Sequence, residues 1–100
     1  LLLVRDQRLE QAVPYLRRAA DLAVDQPRYA YVYALALQGS GDSEQALAVL
    51  GQANRRSPGD RDILQALVDL HREQGDAERA QYFARELARR YPQAAQRPGR

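Results

Sequence analysis

The chain resembles itself at a shift of 34 residues, and that self-similarity constrains its fold more than any other property. Gly41-Asp42 recurs as Gly75-Asp76, Glu44 as Glu78, Ala46 as Ala80, Arg55-Arg56 as Arg89-Arg90 and Pro58 as Pro92. The same interval carries Glu44, Gln45, Ala46 and Leu50 back onto Glu10, Gln11, Ala12 and Leu16, and Leu37 onto Leu3. The earliest copy lacks the punctuation of the other two, with Gln7 at the glycine position and Val24 at the proline position. The spacing therefore predicts a partial first repeat over 1–26, a second over 27–60, a third over 61–92 and a flexible tail over 93–100.

Each repeat reads as two helices around a glycine turn. Ala30, Tyr33, Ala34 and Leu37 follow the 3, 4, 7 spacing of one helical stripe and stop at Gly39-Ser40-Gly41. Ala46, Leu47, Leu50, Ala53 and Asn54 make the second stripe, which stops before Ser57-Pro58-Gly59. Asp42 is placed to cap that second helix, with Gln45 completing a capping-box pattern. In the next copy the first stripe is Leu64, Leu67, Val68 and His71, and the second is Ala80, Phe83, Ala84 and Leu87. No stretch alternates with period 2 long enough for a strand. The fold class is all-α, an α-α superhelix or solenoid of antiparallel helix pairs holding about two and three-quarter repeats. Leu1 to Val4 is read as the last turn of a first helix, ahead of a separate second helix, and the apolar ends suggest a slice of a longer repeat array.

Composition removes several function classes. The apolar share is 45%, carried mostly by Ala and Leu, while all fifteen basic residues are Arg against thirteen Asp plus Glu, a net charge of +2. A balance so close to neutral builds no large one-sign field to draw nucleic acid or an anionic membrane. Without Cys there is no disulfide framework or thiolate site, and the compartment is left open. The longest apolar runs, Leu1 to Val4 and Tyr29 to Leu37, fall far short of the ~20 residues of a membrane span.

The 34-residue period and its helix-turn-helix units resemble the tetratricopeptide repeat family. The residues that carry the likeness are Ala34, Gly41, Ala46, Leu50, Ala53 and Pro58 in the middle repeat, and Leu67, Gly75, Ala80 and Pro92 in the last. The family's tryptophan is replaced by Ala30 and Leu64, and its first-helix glycine by Ala34 and Val68. The resemblance implies that first helices line a concave groove, into which Arg28, Tyr31, Leu35 and Gln38 project from the second repeat and Asp62, Gln65, Asp69 and Arg72 from the third. Such a groove is apolar and aromatic at one end and mixed in charge at the other, a surface suited to a peptide or protein segment. An equal reading is that Tyr31 and Leu35 pack against a neighbouring helix missing from this slice of the array. Chaperone-binding members grip a carboxylate with Lys, Arg and Asn, and Tyr31, Leu35, Ala66 and Asp69 cannot supply that pocket. The Tyr29 to Leu37 helix with its Gly-Asp turn is also similar to repeat modules of bacterial proteins associated with exported multihaem cytochromes, which implies a periplasmic setting as the alternative to a cytoplasmic one.

Two features invite other chemistry. His71, the one histidine, falls where Leu3 and Leu37 stand in the other copies. With no second His, no Cys and no neighbouring Ser or Thr it lacks the companions of a metal site or a catalytic base, so no metal and no cofactor are expected and the chain is read as a non-enzyme. The pairs Arg17-Arg18, Arg55-Arg56 and Arg89-Arg90 suggest a nucleic-acid-binding helical repeat. Two of them instead close second helices, where cations complement the helix dipole, and no aromatic recurs per repeat to stack bases. The sequence is thus read as a protein-interaction scaffold, with homo-oligomerisation through apolar repeat ends and nucleic-acid binding as the alternatives.

Overall fold

The computed structural model describes residues 2–95. It contains helices α1 (Leu2–Leu22), α2 (Pro27–Gly39), α3 (Ser43–Arg56), α4 (Arg61–Glu73), α5 (Ala77–Arg90) and α6 (Pro92–Ala95), and no strand among the described residues.

Three aspartates start α3, α4 and α5. The side chain of Asp42 accepts from the Gln45 N–H at 3.1 Å, that of Asp60 from Ile63 at 2.9 Å, and that of Asp76 from Arg79 at 3.1 Å. A cap of this kind contributes about 1 kcal/mol by satisfying an N–H that has no partner inside the helix. The capping box expected at Asp42 forms in one direction only, because the Asp42 N–H is already committed to the Leu37 carbonyl at 2.8 Å. That bond, with Gly41 N–H to Gln38 at 3.1 Å, closes α2 in a Schellman motif. The motif recurs where Asp76 donates to His71 and Gly75 to Arg72. It needs a left-handed residue, and Gly41 (φ 94°) and Gly75 (φ 79°) supply it. One Gly-Asp pair therefore ends a helix and starts the next.

The first repeat departs from expectation for the same reason. The separate helical turn expected at Leu1 to Val4 is absent; α1 runs unbroken from Leu2 through the stretch where a turn was expected. Gln7 stands at the glycine position there, and without a residue suited to positive φ the helix continues. It also crosses Pro14, which is exposed, as is Glu10, whose carbonyl loses its usual intrahelical partner. The tail expected over 93–100 is corrected at its start: Pro92–Ala95 is helical, with Pro92 at the position where its missing N–H costs nothing, and the remainder lies outside the described residues.

α2 packs on α3, α4 on α5, and α3 joins the two pairs, while α1 packs on α2. The core is formed by Tyr33, Ala34, Leu37, Ala46, Leu50, Ala53, Ile63, Leu67 and Leu70. Ala46 and Ala80, 0% and 4% exposed, let helix axes approach closely, as the alanine pattern predicts. The backbone of α2 also comes within 8 Å of α4, whereas those of α3 and α5 stay farther apart. A stack tighter in one layer than in the other curves toward the tighter layer, so the first helices lie on the inside of the bend. The outer turns are tied by Tyr91, whose hydroxyl donates to the Gly59 carbonyl while its ring lies 5.9 Å from the Arg61 guanidinium.

Candidate functional site

The α2/α4 layer carries all eight side chains assigned to the groove. On α2, Arg28 is exposed, Tyr31 and Gln38 are half-buried, and Leu35 is 43% exposed. On α4, Asp62, Gln65, Asp69 and Arg72 are all exposed. The two helices are bridged by Gln38, whose Nε2 donates to Glu73 Oε1 at 3.0 Å. Gln65 donates to Asp69 at 3.1 Å along α4, which fixes both side chains in the surface. Tyr31 also packs against the core cluster of this chain. Leu35 remains uncovered. Glu73 was missed by sequence reasoning, since its register partner is Gly39 and nothing at that position marks a polar groove residue.

Behind this face, His71 is 9% exposed and lies parallel to Phe83, centroids 5.7 Å apart. Phe83 meets Tyr82 edge-on at 5.0 Å. Loss of hydration holds the His71 pKa below its ordinary 6.5; nearby Asp76 pulls it up and Arg79 pushes it down. The unfolded chain therefore binds the proton more readily than the folded one. The stability contributed by neutral His71 is complete above pH 6.5 and is lost as pH falls through the lower folded value. His71→Leu, matching Leu37 in register, is expected to flatten the decline in melting temperature between mildly alkaline and mildly acidic pH. Parallel melts of both proteins check this, and an unchanged slope in the variant excludes the assignment.

Of the arginine pairs, Arg89-Arg90 is engaged locally on both members. Arg89 and Arg90 both reach Glu86, at 2.7 and 3.3 Å, and the hydrogen bond from Arg89 chiefly holds the Glu86 carboxyl below its usual range. Arg55 and Arg56 occupy the last turn of α3, where positive charge is favoured. Among the described residues no cluster of three or more His, Cys, Asp or Glu is arranged to hold a metal, and no helix is long and apolar enough to cross a membrane.

No curated protein matches the chain. A family model described as tetratricopeptide repeat matches residues 37–97, a span that takes in the Gly41 and Gly75 junctions, the α3/α4 packing and the whole of α4 and α5. With that match over more than half its length, the chain belongs to the tetratricopeptide repeat family.

Proposed function

We propose that the chain is a non-catalytic scaffold that binds a peptide or extended protein segment along the α2/α4 face. Tetratricopeptide repeats generally mediate protein–protein interaction, which supports the class of partner. The observation that carries the mode is Leu35, a large apolar side chain 43% exposed beside half-buried Tyr31 on the inner layer. An anchor there is desolvated against a surface already fixed by the core. The α4 end is net acidic, with Asp62, Asp69 and Glu73 against Arg72. Ligands of this face accordingly combine an aliphatic or aromatic anchor with a neighbouring cation.

Peptides selected from a random displayed library against the chain serve as the probe. Tyr31→Ala with Leu35→Ala is expected to weaken their binding on the order of 30-fold or more, as loss of central anchors does. Far-ultraviolet helicity is expected to hold, since Leu35 is 43% exposed and the α2 residues of the core cluster, Tyr33, Ala34 and Leu37, stay in place. Selected peptides that lack the anchor-plus-cation pattern, or bind the double variant equally well, count against this mode.

A further inference from the structure

The outer layer carries a groove that repeats with the sequence. No Cα of α1 comes within 8 Å of one in α3, nor any of α3 within 8 Å of one in α5, and each pair leaves a cleft floored by the first helix between them. The α1/α3 cleft, about 590 Å³, includes Val13, Arg17, Tyr33, Leu37 and Gln45 in its lining. The α3/α5 cleft, about 640 Å³, has Leu47, Gly51, Leu67, His71 and Arg79 at the same register positions. One of these exchanges opens the wall. Gly51 stands where the neighbouring copies have Arg17 and Arg85. Glycine is a poor residue for a helix interior, and Gly51 sits within α3. No neighbouring helix requires it, because a Cβ built there meets nothing within 4 Å. What the missing side chain provides is room for close approach from outside.

A second departure from the register lies at the turn between α1 and α2. The later copies have Arg55-Arg56 and Arg89-Arg90 ahead of Pro58 and Pro92; the first has Asp21-Leu22 ahead of Val24-Asp25. Positive charge favours a helix C-terminus, yet the last turn of α1 has no basic residue and carries Asp21 instead. Asp21 lies 3.9 Å from Arg17 but is 72% exposed. Leu22 is 82% and Val24 50% exposed, flanked by Asp21 and Asp25. The result is an apolar knob between two carboxylates.

Each departure is unfavourable for its own repeat, and the two are complementary. The α3/α5 groove has an apolar floor and an aromatic wall, with Tyr82 57% exposed. Its rim holds Arg79 and Arg85 against one carboxylate, Glu78. Arg79 already pairs with Asp76 at 3.4 Å, while Arg85 takes part in none of the ion pairs among the described residues. We propose that this groove receives the α1–α2 turn of a second copy of the chain, with Leu22 seated over Gly51 and Asp21 or Asp25 facing Arg85. Every copy offers one knob and one groove on different surfaces, and the proposed contact is head-to-tail, the heterologous kind that builds rings or open chains. It uses the outer layer and leaves the α2/α4 face free.

Sedimentation velocity of the full chain across a concentration series up to the millimolar range tests the proposal. The wild-type mass is expected to grow past that of a dimer. Gly51→Arg and Leu22→Arg each install the residue found at that register in the other copies, and each is expected to remain monomeric with unchanged helicity. Mixed together, they are expected to form a 1:1 complex and nothing larger, because one retains only the knob and the other only the groove. A monomeric wild type, association of either variant like the wild type, or a mixture that stays monomeric overturns the proposal. Should Gly51→Arg lose helicity, Arg85→Glu takes its place as the groove-side variant.

Discussion

Leu67→Ala is expected to lower the unfolding free energy by about 2–5 kcal/mol, the range for removing a buried leucine side chain without collapse of the space it leaves. Leu67 is 1% exposed and belongs to the core cluster that joins α4 to α3. The surrounding side chains cannot relax freely into the gap, because the helix spacing is held by Ala46 and Ala80 and by the two Gly-Asp junctions. Native stability of small domains is only about 5–15 kcal/mol, so this one change removes a large fraction of it. Urea unfolding followed by circular dichroism measures the effect, and a shift in midpoint corresponding to under about 1 kcal/mol would mean that the α3/α4 junction is far looser than a packed core.

Gly75→Val is expected to cost at least about 1–2 kcal/mol, from a different source. Residue 75 has φ 79°, a conformation that a β-branched residue enters only with strain. A Cβ there meets no atom within 4 Å, so the loss would be conformational and not steric against neighbours. The strain has two escapes, each costly. The junction keeps its hydrogen bonds and carries the strain, or α4 runs on as α1 does past Gln7 and the turn into α5 is lost. Thermal melts combined with helicity separate them: a lower melting temperature at constant helicity indicates strain, and altered helicity with loss of cooperativity indicates a continued helix. A melting temperature equal to wild type would contradict the assigned backbone conformation.

The two variants also mark what could be read from the sequence. Gly41-Asp42 and Gly75-Asp76 were legible as turns because their chemistry is local: glycine supplies positive φ and aspartate an acceptor for the next helix. The core residues Tyr33, Ala34, Leu37, Ala46, Leu50 and Leu67 were legible because helical periodicity and the 34-residue register agree on them. The fate of Leu1 to Val4 was not, since repetition argues for a turn near Gln7 while the residue itself argues for continuation, and the local preference won. Pro92–Ala95 was missed because four residues are too few to show a stripe. At the inner face, register placed Arg28, Tyr31, Leu35, Gln38, Asp62, Gln65, Asp69 and Arg72 in one layer, but pairing across that layer depends on how far α2 and α4 are offset. The Gln38–Glu73 hydrogen bond is set by that offset, which no single helix encodes.

The nearest-neighbour order of the stack gives it the mechanics of a coil spring. Among the described helices, close backbone approach joins chain neighbours, and α2 to α4, and no others. No strut runs from α1 to α5, so a small rotation at the α3/α4 interface is opposed by the packing of that interface, by the α2/α4 contact with its Gln38–Glu73 hydrogen bond and by the Tyr91–Gly59 tie. Rotations of this kind add along the array and change the width of the inner face without moving any hinge residue through a large angle. A segment bound along that face as proposed would be gripped by a change of pitch, and a softer or stiffer α3/α4 interface would alter how tightly it is held while leaving every contacting side chain in place.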